Sequence, residues 1–115
     1  MTLPLTPRML EAAYEFLRST PPFKGWALPA NDKVRFRVTR HLDTHGQANG
    51  HDDPGPEIDI STAVVGHTYT LMKALAHEMI HIHLDRSGVR AAHGAAFKRC
   101  AALVCKRHGF DPKEF

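Results

Sequence analysis

The alternation of apolar and polar positions is sharpest in "KVRFRVTRHL", where Val34, Phe36 and Val38 interleave with Arg35, Arg37 and Thr39. Period two predicts a strand with one buried face and one wet face. A second short strand is expected at "EIDIS", Glu57 to Ser61, after the connection "DTHGQANGHDDPGPE", which is dense in Gly, Asn, Asp and Pro. The connection reads as a turn that folds the two strands into an antiparallel pair. From Thr68 to Leu84 the period lengthens to that of a helix, with Leu71, Met72, Leu75, Met79 and Ile82 gathered on one side.

Two further helices flank these elements. Thr6 before Pro7 is a helix start, since the hydroxyl can cap free N–H groups and proline suits the first helical position. That helix should run to Arg18 on a stripe of Met9, Ala13, Phe16 and Leu17, and stop at Ser19-Thr20-Pro21-Pro22. A loop is expected from Phe23 to Asp32, with a short strand at Trp26 to Leu28. Ser87-Gly88 ends the long helix, and a last one is expected from His93 to His108, with Phe97, Cys100, Ala101 and Val104 at helical spacing.

A length of 115 residues fits a single domain, residues 1–115, and 43% apolar with 23% charged residues is the composition of an ordinary globular chain. No apolar run approaches the ~20 residues of a membrane span, and the start "MTLPLTPRMLEAAYEF" lacks the layout of a secretion signal. The expectation is a cytoplasmic protein with no membrane contact. Cys100 and Cys105 project in different directions from a helix and read as reduced thiols. The net charge is +3, and seven of the 15 basic residues fall between Arg86 and Lys113. That basic C-terminal segment suits a solvated helix face, with weak DNA association as the functional expectation.

The chemistry sits in "ALAHEMIHIHLD", residues 74–85. His77-Glu78-Met79-Ile80-His81 is an HExxH pattern. Residues four apart on a helix lie one above the other, so two imidazoles can converge on one ion, and Glu78 is rotated aside within reach of a water there. A catalytic zinc site needs a third protein ligand. Asp85 is too far along a straight helix and fits better as an orienter of His81, while His83 points to the other side. Ser87 stands where the metzincin spacing would put a histidine. His93, twelve residues after His81, lies beyond the Ser87-Gly88 break, with Gly94 beside it to allow close approach. His108 is the weaker candidate.

"LAHEMIHIHLD" followed by "AAHGAAFKRC" resembles the SprT-like (Spartan-type) zinc metallopeptidases, whose pattern is HExxH and then a histidine in an HGxxF context. Here those positions are His77, Glu78, His81, His93, Gly94 and Phe97, and the resemblance runs from about Val34 to Val104 with the strands in family order. It implies an α+β, zincin-like (minigluzincin) domain: an N-terminal helix, a small antiparallel sheet, the HExxH helix and a C-terminal helix. It further implies Zn2+ held by His77, His81 and His93, Glu78 as general base, and proteolysis, in several members of proteins crosslinked to DNA. Relatives often carry a C-terminal zinc ribbon; the expectation here is the minimal form without one.

The expected function is therefore a zinc-dependent endopeptidase acting on flexible or unfolded protein or peptide, including DNA-associated protein. An extended substrate would pair with an edge strand formed by Glu57, Ile58, Asp59, Ile60 and Ser61. His67, Tyr69 and nearby arginines are candidates for oxyanion stabilisation. The rival is a zinc-binding regulatory or nucleic-acid-associated module without proteolytic activity, against which Glu78 counts, since a structural site has no use for a carboxylate there. His41, His45 and His51 read, with His67, as scattered surface histidines.

Overall fold

Thr6 opens the first helix as its place before Pro7 requires: its Oγ1 accepts the Met9 amide at 3.2 Å in the computed structural model, which describes residues 5–40, 46–49, 55–61, 68–89 and 93–115. This helix, α1 (Pro7–Arg18), buries Leu10, Tyr14 and Leu17. The stripe thus differs from the expected one: Phe16 is 57% exposed, and Tyr14 takes the core position. Tyrosine is admitted because its hydroxyl donates to the Pro29 carbonyl at 2.5 Å, leaving no buried polar group unsatisfied. Burial pushes the Tyr14 phenol well above its usual range.

Where a short strand is expected at Trp26–Leu28, the chain makes a 3-10 turn, Phe23–Trp26, and Ala27 adopts the left-handed region at φ 53°. Trp26 then packs edge-on against Phe23 at 5.1 Å, which a strand would prevent by sending the chain straight on.

The sheet contains β1 (Arg35–Thr39), β2 (Gly46–Asn49) and β3 (Glu57–Ser61) in the order β1-β3-β2. β1 and β3 are the two expected strands, but they pair parallel, Arg35 beside Glu57 through Thr39 beside Ser61. The reason is β2, hidden within the Gly- and Asn-rich connection. It pairs antiparallel with β3 and so reverses the chain once more, which leaves β1 and β3 running the same way. Parallel register also sets unlike charges side by side: Arg35 meets Glu57 at 3.2 Å, and Arg37 Nε lies 3.5 Å from Asp59 Oδ1.

Glu57–Ser61 is the central strand, flanked on both sides, and therefore cannot be the edge that an extended peptide joins. Its two neighbours form the edges among the described residues.

Behind the sheet lie α2 (Thr68–Arg86) and α3 (Ala95–His108), completing an α+β fold with its elements in the expected order. Leu75, Ala76, Met79, Ile80 and Ile82 of α2 are all fully buried, so this helix is enclosed on more than the one stripe expected. Ile58 and Ile60 of β3, Val104 of α3 and Leu10 of α1 close around it. Each such side chain contributes roughly 1.5–3 kcal/mol by leaving water. Cys100 and Cys105 are free thiols, half-buried and buried.

His108, at the end of α3, reaches back to the end of α1. Its Nε2 is 3.0 Å from Thr20 Oγ1, and because that hydroxyl already donates to the Leu17 carbonyl at 2.7 Å, the imidazole N–H is the donor. Burial holds His108 below its usual pKa. The unfolded chain then binds the proton more readily than the folded one, so the stability linked to His108 is full above a pH of about 6.5 and is lost as pH falls. The stability advantage of the wild type over His108→Gln in urea unfolding should accordingly be constant at alkaline pH and shrink progressively below that point.

Candidate metal centre

Two turns of chain bring the site together. On α2, His77 and His81 are one helical turn apart, their rings edge-on at 4.9 Å. The helix then ends where Gly88, at φ 81°, lets the chain reverse: the Gly88 amide donates to the Asp85 carbonyl and the Val89 amide to the Leu84 carbonyl at 2.9 Å, the paired bonds of a Schellman cap. The chain re-enters at His93-Gly94 and continues into α3.

The three imidazoles face one another through the same atom. His77 Nε2 is 3.2 Å from His81 Nε2 and 3.2 Å from His93 Nε2, and the last two are 3.1 Å apart. Three mutual hydrogen bonds are chemically impossible here, because a neutral imidazole nitrogen either carries a proton or offers a lone pair. At least one contact would set like against like. A shared cation removes the conflict by taking all the lone pairs at once. In a tetrahedral zinc site with bonds of ~2.0–2.1 Å, ligand nitrogens lie roughly 3.3–3.4 Å apart, close to the spacing found. These three residues can hold a metal ion.

The surroundings of His81 favour its neutral, ligating form. His81 is lowered to about 4, first by burial and then by His77 and His93, with Asp85 acting in the opposite sense. His77 Nδ1 lies 2.8 Å from the main-chain oxygen of Phe115, an acceptor only, so Nδ1 carries the proton and Nε2 presents a lone pair. Phe97, 5% exposed, sits 4.8, 4.8 and 4.9 Å from the rings of His77, His81 and His93, a single apolar wall common to all three.

Glu78 lies deeper than the helical wheel suggests. It is 6% exposed, and burial, followed by the charge of Asp59, pushes its carboxyl up to about 8. Asp59 is itself 9% exposed, so β3 takes part in the site through the charge of its central residue and not through a free backbone edge. A cation at the histidines would work in the other direction, favouring the carboxylate.

The remaining candidates lie elsewhere. Asp85 and His108 are outside the histidine cluster, and His108 is engaged with Thr20. His83 faces away, as expected, and stacks on Trp26 at 4.2 Å, where with Leu28 and Arg86 it lines a cavity of about 420 Å³. His41, His45, His51 and His67 lie outside the described residues, as does the side chain of Tyr69. Sequence reasoning passes over the Phe115 oxygen and the charge of Asp59. For Phe115 a signal exists: "GFDPKEF" has the Gly and Asp-Pro of a chain reversal, flanked by two aromatics.

Compared with known families, the chain matches the model of the SprT-like family over residues 11–114. No curated protein was found to match it.

The geometry separates the histidines by role. His93→Ala should lower bound divalent metal, read by elemental analysis of protein purified without added metal, and His108→Ala should leave it at the wild-type level. Full occupancy in the His93 variant would remove His93 from the ligand set.

Proposed function

The chain belongs to the SprT-like family, and on that footing we propose that it is a zinc-dependent endopeptidase acting on flexible or unfolded protein, DNA-associated protein included. One observation carries this: three histidine Nε2 atoms within 3.2 Å of one another, with the carboxylate of Glu78 one position along the same helix. Three protein ligands leave a coordination position for chemistry, whereas a structural site would be closed by a fourth.

Bound zinc supplies a Lewis acid, which acidifies water and polarises a peptide carbonyl. The protein supplies the rest. Glu78 takes a proton from the attacking water as its oxygen bonds to the carbonyl carbon, then delivers that proton to the amide nitrogen as the C–N bond breaks. Burial, and after it the Asp59 charge, raise the proton affinity of Glu78, while a cation at the histidines would oppose them and favour the carboxylate. His77, His81 and His93 already converge through Nε2, with Phe97 as the wall common to their rings.

A substrate strand has one edge beside α2 to join. β2 is at the rim of the sheet and packs against that helix, and among the described residues nothing pairs with its outer side. Main-chain pairing there would select extended segments and be tolerant of sequence. On α3, Lys98, Arg99, Lys106 and Arg107 are all exposed, and this face is the surface we assign to weak contact with DNA. No described helix is long and apolar enough to cross a membrane, and we propose a cytoplasmic location.

Glu78→Gln tests the mechanism. It should retain about one zinc per chain, as the ligands are untouched, and lose cleavage of an unfolded casein-type substrate by on the order of 10²–10⁴-fold. The assay should be run with and without single-stranded DNA, which reports separately whether DNA is needed. Zinc bound in the wild type without cleavage in either condition would instead favour a binding module.

A further inference from the structure

The segment after α3 returns to the back of the histidine cluster. Gly109, at φ 78°, breaks the helix while its amide still donates to the Cys105 carbonyl at 2.8 Å. Phe110 enters the core, 6% exposed. A four-residue turn follows, in which the Glu114 amide donates to the Asp111 carbonyl at 3.0 Å and the Asp111 carboxylate accepts the Lys113 amide at 2.9 Å. Pro112 stands at the second position of this turn, where its fixed φ is suited. The turn delivers Phe115, whose ring stacks on Phe110 at 5.7 Å, approaches Phe97 at 6.4 Å and lies 5.5 Å from the His77 ring.

Aromatic packing thus fixes one main-chain oxygen at 2.8 Å from His77 Nδ1. The bond has a direction, because a main-chain oxygen only accepts. It selects the tautomer that leaves Nε2 unprotonated, and it turns the ring so that Nε2 points to His81 and His93.

We infer that the Gly109–Phe115 hook is a working part of the metal centre, with the Phe115 main-chain oxygen as the positioning group for His77. This rests on the metal-binding reading of the three histidines. Phe115 itself touches no ligand position: it acts through His77, by sparing the cost of choosing a tautomer and orienting a ring each time the ion binds. The side chain serves as anchor, and the oxygen does the positioning.

The experiment compares full-length protein with a variant lacking Lys113–Phe115 and with two full-length variants, Phe115→Leu and Phe115→Gly. Zinc affinity is read by competition with a chromophoric chelator, and the His77 Nδ1–H is observed in side-chain 1H–15N spectra. In wild type, zinc should bind and that proton should be protected from solvent exchange. Removing residues 113–115 should weaken zinc by roughly 10–100-fold, the usual cost of losing such an outer partner, and abolish the protected signal. Phe115→Leu, which keeps an apolar anchor, should retain both, with Phe115→Gly between. Unchanged zinc affinity in the shortened chain and in Phe115→Gly would overturn the inference and reduce the hook to packing. A wild type that binds no zinc would instead sink the metal-centre reading beneath it, so the two failures are distinguishable.

Discussion

Three ring nitrogens approaching within 3.2 Å of one another is an arrangement that neutral imidazoles do not adopt unaided. There are too many lone pairs or too many protons for every pair to be complementary, and one positive centre resolves all three contacts together. Much of the surrounding structure acts to keep that tension in place. The helical repeat aligns two of the rings, the Gly88 reversal brings in the third, Phe97 closes one side, and the Phe115 oxygen settles where the His77 proton resides.

The same helix has to serve as the middle of the core. Leu75, Ala76, Met79, Ile80 and Ile82 anchor α2 in the core, so the site residues on it cannot drift without disturbing packing. That rigidity has a cost. Glu78 is buried near a second carboxylate, an arrangement that opposes charge at both and has no merit as a stabilising contact. Under the proposed function this is the group that moves the proton, and the conflict is sustained by the packing around it.

How much of this is legible in the sequence depends on the range of the information. HExxH is local, and so is the Ser87-Gly88 stop. These two features, with the histidine that follows them, are enough to bring His77, His81 and His93 together without reference to the sheet. The direction of β1 against β3 is not legible, because it depends on β2, four residues of Gly, Gln, Ala and Asn that have no strand signature of their own. Hydrophobicity alone places Phe16 inside α1 and passes over Tyr14, because the Pro29 carbonyl that accepts its hydroxyl is not visible in a helical wheel. The Phe115 oxygen reaches across 38 positions of chain to His77 and leaves no periodicity to read. The motif identifies Glu78 but not its depth, since the sector adjoining the core is itself covered by β3.

The arginines of β1 have an effect beyond their partners on β3. β1 is a rim of the sheet, and Arg35 and Arg37 are both exposed along it. If a second copy approached rim to rim, guanidinium groups would meet their own counterparts, and like charges in register resist pairing. A small sheet with two unguarded rims is a template for stacking copies without limit. Among the described residues one rim thus carries charges that oppose its twin, and under the proposed function strand addition would fall to the far side.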